Sequence, residues 1–583
     1  MLRQLLDRLN KRASALAAKS EDSDPLQEAE RRLDEVDIAG AKEALERVKR
    51  TSTSGSRVDI VHARLAMMER RYDEADKLLA DVLLYEPRNA EGLAWMAALK
   101  MCQQNPEEAI RLAEQAHRLG YHRAWLLEMS GVAHFAANRI EQAAAAWTAG
   151  LCLEPDRRQT RANLIKALGK LHCWSELESY LTAAIADEGE TATYLAYLGN
   201  CLVANKREAE AWPVFARAAA RHDVDATVLL NQAVALFNAG QIELARQTAK
   251  RGFELDPSMD ILAVMLANMD LIQAGSTREH WQAYERRFGV STDNYRVQSR
   301  PWFGERLPDD QILLVYAEQG IGDVILFARW LPKIAELAGC RVNFGVRAPL
   351  ERLIRQTSEN LPGWQNISVF GVPRPEGVAC SAELPLMSLL ARVDLPIERT
   401  MSPYVTTNFE LDEEWAARLP RTGRRRVGLV WAGNPARPDD SIRSIPTAQL
   451  ECLRDEELLQ RVEFVNLVMD ERPDCKPSAM PFEMTNVRVD IKDFADTAAL
   501  IKQLDLVVAI DCGVAHLAGA VGTPCWVLLS TMEDWRWRMN GVDQPWYGRH
   551  RSLRANRNRD WSDVLSRLKD DLLKWSQPGG THS

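Results

Sequence analysis

The chain has 583 residues, 46% hydrophobic and 27% charged, with a formal net charge of −9. This is the balance of a folded protein with roughly two to four domains, not of a disordered one. An acidic balance spread over both signs excludes general affinity for nucleic acid or an anionic membrane, since either needs a basic face.

The basic N-terminus, "MLRQLLDRLNKRASALAAKSEDSDP", lacks a signal-peptide core, and no run of about 18 apolar residues follows it. Ten scattered cysteines without a CxxC pair suggest neither a zinc site nor a disulfide framework. The reading is a reduced, cytoplasmic protein with no integral membrane segment and no bound metal or cofactor.

From residue 56 the sequence repeats. "LLYEP", "LCLEP" and "FELDP" end at Pro87, Pro155 and Pro257, separated by 68 and 102 residues, two and three times 34. Ruling every 34 residues from Ser56 gives six units closing at Met259. Twelve residues before each expected proline position stand Ala75, Ala109, Ala143, Leu177, Ala211 and Ala245. Small residues let two antiparallel helices cross closely, and Gly131 and Gly199 are expected to supply the matching position on the first helix. The terminal proline stops the second helix. Period, small residues and proline together resemble tetratricopeptide repeats over residues 56–259. "AGAKEALERV" (39–48) reads as an earlier degenerate unit and 260–290 as a closing helical pair. Such a solenoid holds a peptide or helix in its groove, or it only supports the fold or a dimer. Asn163 and Asn231 share one repeat position; they clamp a peptide backbone with paired amide bonds or are solvated helix residues.

From about residue 311 the pattern changes to strand, glycine turn, helix: strand 312–316, loop 317–322, helix 323–338, strand 341–346. A second series runs from "RRVGLVWAGNP" through "VEFVNLV" to "DLVVAIDCGVAHLAGAVGTPCWVLL". Short apolar runs of this kind suit parallel strands buried on both faces, so two Rossmann-like domains facing a cleft are expected, with ligands at the carboxyl ends of the strands. Four loops there carry chemistry. "EQGIGD" holds Gly320, Gly322 and Asp323; Ile325 replaces the third glycine of a nicotinamide fingerprint. Asp323 either faces the cleft or only complements the helix dipole. "WAGNPARPDDSIRSIP" (431–446) places Asn434 at a strand end and Arg443 with Ser444 before the next helix, as a phosphate grip or a solvated loop. Asp496 and Thr497 occupy a cap position in "KDFADTAALIKQLD". The fourth loop is "AIDCGVAHLAGAVGTP" (509–524). Beyond it, Trp546 reads as packing, while Trp535 and Trp537 either wall the donor site or pack.

"GIGDVILFARWLP" and "DCGVAHLAGAVGTP" resemble the bacterial ADP-heptose heptosyltransferases, a glycosyltransferase family 9-like region of the glycosyltransferase-B fold, over about residues 310–550. The resemblance implies Asp323 as general base. It implies a donor-nucleotide site at Asp511, Gly513 and His516 with Arg443 on the phosphate; the loop reading adds Gly322, Asn434 and Ser444 to that site. Cys512 departs from the family's serine or threonine and removes a hydroxyl; the backbone amides of Val514, Ala515 and His516 remain for phosphate. His516 contacts the nucleotide or is a packed core histidine. No D-x-D metal motif appears in these loops.

Repeats ahead of such a region look like the bacterial transferases that glycosylate flagellin with a nonulosonic acid such as pseudaminic acid from a CMP-linked donor. A single-phosphate donor tolerates the loss at Cys512. The expected function is therefore a protein O-glycosyltransferase acting on flagellin. Its rivals are a heptosyltransferase using ADP-heptose on lipopolysaccharide or an autotransporter, and a non-catalytic repeat scaffold. The expected organisation is a helical segment at 1–50, repeats at 51–259, and capping helices and linker at 260–305. A first Rossmann-like domain on the acceptor side follows at 306–405, then a linker at 406–426 and a donor-side Rossmann-like domain at 427–583.

Overall fold

The computed structural model describes residues 24–48, 55–171, 173–205, 207–290, 299–372, 380–399, 403–437, 440–469, 472, 475–539, 542–556 and 560–577. The chain divides into two compact units, Met1–Asp223 and Val224–Ser583.

The first unit is built of helix pairs. Pro25–Asp34 pairs with Ile38–Glu46, Gly55–Met68 with Tyr72–Tyr85, and Ala90–Cys102 with Pro106–Arg118. Ala124–Ala136 then pairs with Ile140–Leu153, Arg158–Lys170 with Trp174–Glu188, and Ala192–Ala204 with Glu208–Ala220. From Tyr72 onward, each second helix begins 34 residues after the last, at Pro106, Ile140, Trp174 and Glu208. The degenerate unit expected near 39–48 is the Ile38–Glu46 helix; residues 1–23 lie outside the described residues. Short polar side chains start several of these helices, as when Asn105 accepts from the amide of Glu108 and Pro106 takes the first helical position, where a missing N–H costs nothing.

Ala75, Ala109, Ala143, Leu177 and Ala211 are fully buried, as a close helix crossing requires. The glycines are small positions on the first helix, as expected, and each makes room for a ring. A Cβ on Gly131 would lie 2.4 Å from Nε1 of Trp147, and one on Gly199 2.5 Å from Cε1 of Phe215. They receive an aromatic ring from the second helix, sixteen residues further on.

The second unit opens with the pair Ala226–Asn238 and Ile242–Leu255, in which Ala245 is fully buried. Asp260–Ala274 and Arg278–Tyr284 follow, the latter running into a 3-10 turn at Glu285–Gly289. The strands are β1 (Arg300–Pro301), β2 (Ile312–Tyr316), β3 (Arg341–Val346), β4 (Ile367–Gly371) and β5 (Ala382–Pro385) in a first sheet of order β1-β5-β2-β3-β4. The second sheet holds β6 (Arg425–Val430), β7 (Val462–Asn466), β8 (Thr485–Asn486), β9 (Leu506–Ile510), β10 (Cys525–Leu529) and β13 (His550–Arg554), ordered β13-β10-β9-β6-β7-β8. Every pairing in both sheets is parallel, with Ile312 opposite Arg341 and Val427 opposite Leu506. A small antiparallel hairpin, β11 (Arg538–Met539) with β12 (Val542–Asp543), lies between β10 and β13. β7, β9 and β10 are buried along their whole length, as strands covered on both faces must be.

Two expectations are corrected. The helix read over 323–338 is two helices, Ile321–Ala328 and Leu331–Ala338; Pro332 has no N–H to continue the first one. The stretch 406–426, read as a linker, contains the helix Phe409–Arg418, started by Asn408 and anchored by the fully buried Trp415.

Candidate functional site

The first half of the site forms where β2 ends. The chain turns through Gln319, at φ 60°, and the helix Ile321–Ala328 begins with Gly320 as its cap. Asp323 reaches back, Oδ2 accepting from the Gly320 amide at 3.0 Å. Its other oxygen accepts from Nε of Arg536, in the loop after β10, at 2.6 Å. Arg536 is held in turn by both oxygens of Asp534 at 3.0 Å, with its guanidinium 4.3 Å above Trp535.

The second half forms where β9 ends. Asp511 accepts from the indole N–H of Trp537 at 2.7 Å, and its carbonyl accepts from Nη1 of Arg443 at 2.7 Å. Burial raises the Asp511 carboxyl above its ordinary range, helped by the nearby charge of Asp534 and opposed by Arg437 and Arg443. Cys512 caps the helix Gly513–Val521; burial pushes its thiol up to about 11 against the pull of the Ala515 and Val514 amides. The Ala515 amide also donates to the Cys512 carbonyl at 3.2 Å, so it is partly spent within the turn instead of standing open for a phosphate.

His516 is buried, stacked on Trp537 with ring centroids 4.4 Å apart, and Nδ1 shares a hydrogen bond with the Tyr547 hydroxyl at 3.1 Å. Burial, with the Arg536 charge second, holds its pKa well below the ordinary 6.5, so the ring is neutral near pH 7. His516 is thus packed and hydrogen-bonded on the first turn of the helix Gly513–Val521.

The halves meet on glycine. A Cβ on Gly322 would lie 2.7 Å from Cδ2 of His516 and 3.5 Å from Cα of Gly513; one on Gly513 would lie 3.6 Å from the Gly322 amide nitrogen. The structure thus brings Gly322, Asp323, Asp511, Gly513, Val514, Ala515 and His516 together. Arg443 joins them through the Asp511 carbonyl. It stands at the end of the short helix Asp440–Arg443 and ahead of the 3-10 helix Thr447–Leu453, and its Nε lacks a hydrogen bond, 3.6 Å from Asp440. Ser444 is spent on structure, donating to Asp440 at 2.8 Å and accepting from the Gly433 amide at 3.0 Å. Asn434 is exposed and accepts from the Ala436 amide in its own loop.

In the repeats, buried Asn163 accepts from Gln159 at 2.9 Å, and Asn231 is half-buried in the helix Ala226–Asn238.

Asp493, not Asp496 or Thr497, caps the helix Phe494–Ile501. Asp496 is buried and, with Asp493, grips Arg352 of the first sheet's domain. Trp535 and Trp546 pack in an aromatic cluster with Trp281 and Phe327. Trp537 belongs to the site through both Asp511 and His516. Arg536 and Asp534 join the candidate site without a mark in the sequence, and Trp537, left open there, joins it too; "EDWRWRM" reads as an aromatic run, and nothing local ties its arginine to Asp323.

Residues 483–560 match the model of glycosyltransferase family 9 (heptosyltransferase). The match covers β9, the 511–516 turn and the Trp537 loop, and it leaves Asp323 and Arg443 outside. The chain therefore carries a family 9-type glycosyltransferase region behind a tetratricopeptide-like helical array. Protein FlbA of Caulobacter vibrioides is 27% identical over 578 residues, spanning 92% of this chain and 94% of that protein. Among solved structures, YrrB, a TPR protein with an unusual peptide-binding site, is 16% identical and covers 30% of this chain and 89% of its own, with a TM-score of 0.27. A tetratricopeptide repeat protein from Parabacteroides merdae is 12% identical and covers 42% and 96%, with a TM-score of 0.27. Among the described residues, no helix is long and apolar enough to cross a membrane.

Proposed function

We propose that the chain is a cytoplasmic protein O-glycosyltransferase of the glycosyltransferase-B type. On this reading it moves a nonulosonic acid such as pseudaminic acid from a CMP-linked donor to Ser or Thr of flagellin, which the repeat array recruits. The observation that carries it is the meeting of Asp323 with the 511–516 turn, the latter inside the family 9 segment. The second sheet's domain holds the nucleotide. Asp323 takes the proton of the acceptor hydroxyl as that oxygen bonds to the anomeric carbon. The bond from that carbon to the donor phosphate oxygen breaks, and CMP leaves with the electron pair. Arg536 orients the Asp323 carboxylate at 2.6 Å. Arg443 and the start of the helix Gly513–Val521 face the leaving phosphate with positive charge and partial charge. Cys512 offers no hydroxyl, and a donor with one phosphate asks for fewer donors than a diphosphate.

Two measurements test this reading. Intact-mass analysis of flagellin from cells with and without the protein is expected to differ by whole glycan units; an unchanged mass removes flagellin as the acceptor. A donor screen with the purified chain is expected to favour CMP-linked sugars. Preference for ADP-heptose instead supports the second reading, heptose transfer, which the description of the matched family favours.

A further inference from the structure

A cavity of about 720 Å³ lies inside the second unit, between the repeat helices and the loop after β10. One side is the turn and first helical residues after Gly240, with Gln241, Glu243, Leu244 and Gln247, together with Gln273 from the helix Asp260–Ala274; the other is Glu533 and Arg538. We propose that this groove binds an extended, uncharged or basic segment of the acceptor polypeptide and presents its hydroxyl to the Asp323 side of the loop. The proposal rests on the reading of the chain as a transferase acting on a polypeptide.

Three observations carry it. First, the lining offers what an extended backbone needs. Gln247 and Gln273 donate their amides to Glu243 at 3.0 and 3.5 Å, which leaves their carbonyl oxygens to accept from backbone N–H groups. Gln241 adds a third side chain that both donates and accepts. Leu244, 48% exposed, supplies an apolar contact beside the more buried Ile242 and Ile272. Second, the charge is selective. Arg538 pairs with Glu533 at 3.5 Å, so Glu243 is left in excess and acidic segments are disfavoured. Third, the groove and the candidate site share a wall. Arg538 is two residues from Arg536, within about 7.6 Å along the backbone, and Glu533 adjoins Asp534, which holds Arg536. The loop is seated on the repeats: Thr531 approaches Gly240, where the positive φ of 76° and a carbonyl 3.3 Å from any added Cβ favour glycine. A chain lying in the groove therefore runs beside the side chains that grip Asp323.

The test compares the full chain with two variants, the double substitution Gln247→Ala with Gln273→Ala, and Leu244→Glu. The polypeptide probe is purified flagellin. All these positions are exposed, so both variants are expected to fold, with unchanged thermal midpoints. In each, KM for flagellin is expected to rise at least tenfold while kcat at saturation changes less than twofold. A KM within twofold of the unsubstituted chain in both variants overturns the groove alone. If the unsubstituted chain transfers no sugar to flagellin, the acceptor reading fails and the groove proposal falls with it.

Discussion

Glycines mark the closest approaches in both the repeat array and the sheets, yet they serve different ends. Gly131 and Gly199 make room for Trp147 and Phe215, so they admit apolar mass into a core. Gly322 makes room for His516 at the start of the helix Gly513–Val521, so it lets two chemically marked turns touch. A larger side chain in the first setting should cost stability; in the second it should cost geometry. The strongest break of this comparison is Gly322→Val. Its Cβ would already stand 2.7 Å from a buried ring, and the branched carbons force the turns apart. Because a shift of about 1 Å costs roughly a hundredfold in rate, transfer is expected to fall about a hundredfold, or ~2.7 kcal/mol. Turnover with a nucleotide-sugar donor and polypeptide acceptor measures it; a loss under tenfold would show that the turns need not meet for catalysis.

The two regions also differ in how acid reaches them. In the sheets, His550 donates from Nε2 to the Ala515 carbonyl at 3.0 Å, and burial takes its pKa down to about 4; His516 shifts the same way. A histidine lowered in the fold stays neutral while the unfolded chain takes up a proton. Its stability contribution is full above pH 6.5 and is lost as pH falls toward 4, about 3 kcal/mol for His550. The array likewise lowers His134, chiefly by burial. Its salt-bridged Glu28 is lowered to about 2, first by its hydrogen bond from Arg31, and loses its contribution only from pH 4.5 downward. Regional hydrogen exchange, corrected for intrinsic pH dependence, should therefore show β13 losing protection between pH 6.5 and 4 while the helix Pro25–Asp34 holds. Equal loss in both would mean that the buried histidines do not set the acid response.

How much was legible in the sequence follows from where each signal is stored. The array repeats its signal, so single departures such as Leu177 are outvoted and the helix starts fall every 34 residues. The strands were legible because each is a short apolar run: Ile312–Tyr316 and Arg341–Val346 occupy the positions read for them. Asp323 and the 511–516 turn stood out because glycine and charge interrupt those runs. What remained hidden depends on distance in the chain. Arg536 meets Asp323 across 213 residues, and Arg443 turns to the Asp511 carbonyl across 68; no local pattern encodes either partner. The ring above Gly131 was hidden for a related reason. Spacing identifies a small residue, but not which ring will fill the space above it.

The socket at Gly131 gives the last and smallest test. Trp147 is 3% exposed and donates its indole N–H to the Glu128 carbonyl at 3.0 Å, so both its plane and its polar edge are fixed. A methyl group on Gly131 would stand 2.4 Å from that nitrogen and 2.6 Å from Cδ1, and the ring cannot retreat without breaking its bond. Overpacking of this kind costs typically 1–3 kcal/mol, offset by the ~1 kcal/mol that alanine gains over glycine inside a helix. Gly131→Ala is therefore expected to destabilise the array by about 1 kcal/mol in urea unfolding, with the transfer rate at saturating substrates unchanged. In a double-mutant cycle, Gly131→Ala made in a Trp147→Leu background, where the clash is gone, should no longer destabilise. If Gly131→Ala stabilised the chain instead, helix propensity would outweigh ring packing, and the glycine would be a tolerated residue, not a socket.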